Sequence, residues 1–349
     1  MAINVQLLDE ICTTPGAPGH EHRIREVLLN AVQNHIDEHY IDNIGNLVCV
    51  KKGSGNTGKK IALAAHMDEI SFMISHIEEN GFARFHPLGG FDPKTLVSQR
   101  VIAHGKEDLV GVIAIKPIHI ASEEDRKKTL KLNQLVIDFG MPGDQLKNYL
   151  SVGDPVTRKA DLIEMGDCVT GKSLDNRVSC YVQVEALRQF EGCEHDVYAA
   201  FTVQEEVGLR GAGVLANTID PDWGIAIDTT ISYDLPGGRS YERITSLGEG
   251  VGIKMVDSGV IADKRFVSFF QAQCEAHNIR WQPEVMTRGG TDTAMLQRGG
   301  RNGAIAGAIS IPTRHIHTTV ETCHKEDIAA GIQLLTKSLK HLHEGQWGW

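Results

Sequence analysis

The sequence predicts an α/β fold: one α/β domain interrupted by a small β insertion. Three observations carry this expectation. Apolar strand-like runs alternate with amphipathic helices after Gly166, the signature of an α/β sheet. From Glu69 to about Gly166 the alternation gives way to short apolar runs broken by turns such as Glu79-Asn80-Gly81 and Gly105-Lys106-Glu107-Asp108, the pattern of a small β unit. The length of 349 residues suits two domains better than one. The expected division puts residues 1–68 and 167–349 in one α/β domain and residues 69–166 in the insert.

The elements follow in order. Val5, Leu8 and Ile11, joined by Leu7, fit one face of an opening helix. Pro15-Gly16-Ala17-Pro18-Gly19 is a turn, and a second helix begins near His20. Strand-like runs at 46–51 and 60–66 flank a loop at Gly53-Ser54-Gly55-Asn56. Inside the insert the runs are 71–77, 100–104, 110–115 and 135–139. A helix over 177–190, a strand over 197–203, a helix over 211–216 and a strand over 223–227 come next. The last third adds a helix over 263–277, a buried strand over 304–311 and a long amphipathic helix over 326–343.

Composition narrows the function. With 41% hydrophobic and 23% charged residues, the chain has material for a sizeable core. A formal charge of −10 disfavours nucleic acid or an anionic membrane as partner, since both require a basic patch. The one dense basic run, Arg126-Lys127-Lys128, follows Glu123, Glu124 and Asp125 and is a solvated mixed-charge face. No apolar stretch reaches membrane-spanning length, and the start lacks the basic, then apolar, pattern of a secretory signal. Seven scattered cysteines without a Cys-x-x-Cys pair fit a reduced cytoplasmic chain.

Five segments carry candidate chemistry. A strand runs into His66, and Asp68 stands two positions on, on the same side of the chain, where a carboxylate could orient a ligand imidazole. Asp175 precedes a helix; it is either an N-cap or a carboxylate whose two oxygens each bind a cation. An apolar strand ends in Glu205-Glu206. Adjacent side chains point apart, so one can bind metal while the other serves as general base, and two buried like charges need a cation. A further strand delivers Asp228 at its C-terminal end, the edge where open α/β sheets place ligands. After the 304–311 strand stand His315 and His317, and position alone does not choose between them. Each signal has a bland alternative, but together they assemble His, Asp, Glu, Asp and His. That donor set suits zinc or cobalt, and five ligands are too many for one tetrahedral ion.

The segments AHMDEISFM, KSLDNR, QEEVGLRGA and PTRHIHTTVE, supported by RGGTDTAM, resemble the tetrahedral (TET-type) aminopeptidases over nearly the whole chain. These are dinuclear-metal glutamyl, leucyl, lysyl and deblocking aminopeptidases. The resemblance implies an α/β catalytic domain, with a central mixed sheet flanked by helices, interrupted by an inserted small β-barrel-like dimerisation domain. It implies a metal-dependent aminopeptidase that removes N-terminal residues from peptides. It implies two divalent ions per subunit, zinc first, with cobalt or manganese as alternatives. Asp175 is then the bridging carboxylate, His66 and Asp228 complete one site, and Glu206 and His317 complete the other. Glu205 takes the part of the general base and Asp68 that of the catalytic aspartate; the motif aligns the ligand with His317 over His315. Gly290, Thr291, Asp292 and His315 are candidate substrate contacts. The family also implies homo-oligomers: dimers formed through the insert, assembling into a tetrahedral dodecamer. Two departures, Thr318 where Ser is common and Thr293 where Ala is common, blur substrate preference.

The competing readings are a related two-metal carboxypeptidase or N-acyl amino acid amidohydrolase, and a non-catalytic metal-stabilised scaffold. A free-amine anilide compared with an N-acylated one separates the first, and a carboxylate beside a filled ligand set speaks against the second.

Overall fold

The computed structural model describes residues 2–55 and 57–348, without the side chains of Ile118, Asp125 and Arg126. Asn56 of the expected loop, and the Asp125 and Arg126 side chains of the mixed-charge run, lie outside the described residues.

An eleven-stranded mixed sheet forms the frame. At its centre Asp196–Thr202, Lys60–His66, Trp223–Ile231 and Ile305–Arg314 lie side by side and parallel. These strands are apolar along nearly their whole length, as parallel strands covered on both faces must be. Alternate residues feed two different cores. Ile61, Leu63 and Ala65 join the large cluster under Leu174–Gln189 and Lys325–His341, while Ala62 and Ala64 meet Leu215, Ala216 and Leu296 on the opposite face. Small alanines on that second face let the short helices Arg210–Ile219 and Thr293–Arg298 sit close.

The helix Leu174–Gln189 is buried nearly all round, so its sequence shows little amphipathic period. Its regular part begins only after Asp175 and Asn176, whose backbone angles are not helical and whose shared peptide bond is cis. That start agrees with the helix expected from residue 177.

Six strands of the insert, from Ser71–Ile77 to Pro155–Arg158, close into a barrel. It has its own core around Phe72, Ile74, Val101, Ile137 and Val156. The α/β class with a β-barrel insert is therefore as the sequence predicts. Ile163–Met165, within the span 69–166, pairs instead with Cys168–Gly171 at the edge of the large sheet. Strands at Glu38–Ile41, Phe82–Leu88, Val251–Val256, Trp281–Val285 and Glu321–His324 were not anticipated; several are short or half-exposed and carry no clear period. Among the described residues no helix is long and apolar enough to cross a membrane.

Candidate active site

The four parallel strands end at one edge, and the chemistry collects there. Lys60–His66 delivers His66 on its last residue, in register with Thr202 of the neighbouring strand. Beyond Thr202 the chain turns through Gln204 in the left-handed region (φ 56°) and presents Glu205 and Glu206. Trp223–Ile231 carries Asp228, and the loop after Ile305–Arg314 carries His317, itself left-handed at φ 64°. Asp175 comes from the irregular start of the helix Leu174–Gln189.

Asp175 lies between the two imidazoles. Its Oδ1 is 3.5 Å from His66 Nε2, and its Oδ2 is 3.2 Å from His317 Nε2. His66 Nε2 is also 3.8 Å from Asp228 Oδ1 and 3.7 Å from Glu205 Oε2. His317 Nε2 is 3.5 Å from Glu206 Oε2. Each ring is oriented through its other nitrogen. Nδ1 of His66 meets the Asp68 carbonyl at 3.2 Å, and Nδ1 of His317 meets the Gly90 carbonyl at 2.9 Å. With Nδ1 held by a carbonyl, each ring turns Nε2 toward the carboxylates, the nitrogen a metal ion would take.

Two three-residue groups bring their ligand atoms within 4.8 Å of one another and share Asp175: His66 with Asp228, and His317 with Glu206. A third grouping, His66 with Glu205 and Glu206, meets the same distance. The first two make the more coherent pair, because each uses one imidazole and a different oxygen of Asp175.

Electrostatically the cluster is over-supplied with acid. Burial first, then the neighbouring Asp228 and Glu206 carboxylates, push Glu205 well above the usual carboxylate range against the pull of His66. Burial and Asp175 raise Glu206 to about 7, against His317. Burial would also raise Asp175, but hydrogen bonds with His317 and His66 outweigh it and hold this carboxyl well below the ordinary range. Burial lowers the His317 pKa, yet Glu206 and Asp175 carry it up to about 10. Glu206 Oε1 is buried with no hydrogen-bond partner among the described residues. Crowded, buried carboxylates with an orphaned oxygen, and two imidazoles turned toward them, fit divalent cations.

A cleft of about 570 Å³ opens over this cluster. Gly290 and Thr291 line it, whereas Asp292 and His315 do not. Asp292 is buried beneath, accepting a hydrogen bond from Thr202 Oγ1 at 2.5 Å, and His315 is exposed. Asp68 is fully buried behind His66. Met286, Arg288, Ile231 and Ile316 also line the cleft, and Gly90 and Glu321 support the cluster. Sequence reasoning missed all of these. Ile316 and Glu321, which fall in the PTRHIHTTVE segment, and Arg288, which opens RGGTDTAM, had a signal.

Solved structures share this fold. The chain superposes on an aminopeptidase from the archaeon Desulfurococcus kamchatkensis with a TM-score of 0.92 at 36% identity, covering 97% of this chain and 94% of that one. It superposes on the TET1 peptidase of Pyrococcus horikoshii with a TM-score of 0.85 at 31% identity, covering 96% and 99%. The class is thus that of a hydrolase, an aminopeptidase. The profile described as M42 glutamyl aminopeptidase matches residues 45–334, and the chain belongs to that family. A lysyl aminopeptidase from Pyrococcus furiosus is 31% identical over 97% of this chain and 98% of its own length. The resemblance to TET-type aminopeptidases read from the motifs is borne out.

Proposed function

We propose that the chain is a two-metal aminopeptidase in which Asp175 would be the carboxylate shared by two divalent cations. The observation that carries this reading is the split of one carboxylate between two imidazoles, Oδ1 toward His66 and Oδ2 toward His317. His66 and Asp228 would complete one site, and Glu206 and His317 the other. The imidazole and carboxylate donors suit zinc, with cobalt and manganese as alternatives. When bound, the ions supply Lewis-acid polarisation of the scissile carbonyl and an acidified water.

The remaining work falls to side chains. Glu205 lines the cleft and is required by neither group of ligands that shares Asp175. It is the general base: its carboxylate takes a proton from the attacking water and returns it to the leaving amine. Asp68 holds the Glu205–Glu206 turn through both its oxygens. Gly290 and Thr291 are the substrate contacts we retain, because both border the cleft. Peptides with a free N-terminus are the substrate class, and residues 69–166 form the self-association domain. The TET1 peptidase of Pyrococcus horikoshii assembles into a tetrahedron or a large octahedral shell. Dimers joining into a tetrahedral dodecamer are the assembly proposed for this chain, checked by light scattering of the purified protein. All seven cysteines are free, which suits the reducing cytoplasm.

The decisive experiment is Glu205→Gln with metal content measured beside activity. The variant should keep its metal and lose about two to four decades in kcat. Full activity in a metal-loaded variant overturns the assignment. Cleavage of an N-acylated substrate in preference to a free-amine one would move the chain to the amidohydrolases.

A further inference from the structure

The two groups of ligands are supported from different parts of the molecule. His66 is oriented by the carbonyl of Asp68, two residues along its own chain. The group with His317 is reached from the barrel. Gly90, just after the barrel strand Phe82–Leu88, gives its carbonyl to His317 Nδ1 at 2.9 Å. Gln99 Oε1 accepts from Thr319 Oγ1 at 3.2 Å.

At the centre of this junction lies Arg158, the last residue of the barrel strand Pro155–Arg158 and 1% exposed. Its Nη1 donates to the carbonyl of Thr318, the residue after His317, at 2.6 Å. Its guanidinium carbon lies 5.9 Å from the ring centroid of Phe91, the residue after Gly90. Its Nη2 is 4.0 Å from Glu321 Oε1, and the other oxygen of Glu321 accepts the backbone N–H of Asp175 at 2.9 Å. One side chain therefore touches the His317 loop, borders the segment that orients the His317 ring, and faces the carboxylate that anchors the Asp175 backbone. Among the described residues Nη1 is the one hydrogen-bonded donor of this fork, while Nη2 faces Glu321 Oε1 at ion-pair distance from a fixed, planar position.

We infer that Arg158 is a positioning residue for the metal group formed by Asp175, Glu206 and His317, and that the barrel sets the affinity of this site through it. The group formed by His66, Asp175 and Asp228 does not depend on Arg158 to the same degree. This rests on the two-metal reading above.

The test uses full-length protein stripped with chelator and titrated with Co²⁺ alone, followed by calorimetry and visible absorption. Wild type should take up two equivalents with separable affinities and spectra. In Arg158→Gln one equivalent should weaken roughly 10- to 100-fold, as when a ligand's supporting partner is removed. The other equivalent should keep its affinity and its absorption band. Arg158→Lys keeps the charge and loses the fork; it should fold as wild type and weaken the same equivalent by about tenfold. Arg158 variants that bind both ions as wild type does, or that lose both equally while melting cooperatively, overturn the inference. A wild-type protein binding a single ion overturns the two-metal reading, and this inference with it.

Discussion

Oδ1 of Asp68 accepts the backbone N–H of Glu205 at 3.0 Å. Its Oδ2 accepts that of Glu206 at 3.1 Å, while Oδ1 stands 3.5 Å from His66 Nδ1. One buried carboxylate thus ties the Glu205–Glu206 turn to the His66 strand. Asp68→Asn replaces one acceptor oxygen with an amide donor and leaves a buried N–H unpaired, at about 1–3 kcal/mol. Misplacing Glu205 should also lower kcat by about 10²-fold. Thermal melts and steady-state kinetics check both; lower stability with unchanged kcat would make Asp68 structural only.

His317 and His315 part in their effects. His317 faces two carboxylates, whereas His315 is exposed. His317→Ala should lose metal, read by elemental analysis after dialysis, and His315→Ala should retain the wild-type content. The reverse result would transfer the ligand to His315.

Chelation should destabilise the folded chain. Ions that bind the native cluster add about 2.7 kcal/mol each at a free concentration one hundred times Kd. Without them Asp175, Glu205, Glu206 and Asp228 are left crowded and buried. Calorimetric scans with and without chelator should show a lower Tm for the stripped protein; coincident scans would deny that the folded state holds metal.

A separate ion pair predicts an acid dependence. Arg23 Nη1 lies 2.6 Å from Asp108 Oδ2, joining the helix His22–Val32 to the barrel strand Asp108–Ala114. The Arg23 hydrogen bond, with help from His104 and against slight burial, lowers Asp108 to about 2. A carboxyl lowered on folding stabilises above its unfolded pKa of about 3.9, and that contribution fades as pH falls through the folded value. Both side chains are about two-fifths exposed, so solvent screening limits the pair to under about 1 kcal/mol. Denaturant melts should show Asp108→Asn less stable than wild type at pH 6, with the gap closing toward pH 2. A gap independent of pH rejects the ionic contribution.

Gly211 tests the packing behind the acidic turn. A Cβ there would meet Asn46 Oδ1 at 2.3 Å and the Val203 carbonyl at 2.6 Å. Asn46 is buried, accepting from Val203 N–H at 3.0 Å and donating to the Gly211 carbonyl at 2.9 Å. Gly211→Ala should cost about 1–3 kcal/mol, the range of an overpacked site, read from the denaturant midpoint. A neutral result would mean that the Val203 backbone gives way together with the Asn46 side chain.

Much of the frame was legible because its causes are local. The apolar runs ending in His66, Glu205-Glu206 and Asp228 mark both the parallel strands and their functional edge. The change from helical period to frequent turns after Glu69 marks the barrel. The unanticipated strands, such as Val251–Val256 and Trp281–Val285, pair with partners their own composition does not announce.

By itself, then, the sequence determined which chemical groups this protein carries and which strands bring most of them to one edge. Residue type and the period of two, both readable along the chain, suffice for that. Only the tertiary structure decided how the groups face each other: Asp175 between His66 and His317, Glu321 behind Asp175, the Gly90 carbonyl on His317, and Arg158 at their junction. These contacts join residues 109 to 227 positions apart, and several end on backbone atoms. A backbone carbonyl is the same at every position, so what it accepts is set by how barrel and sheet close on one another.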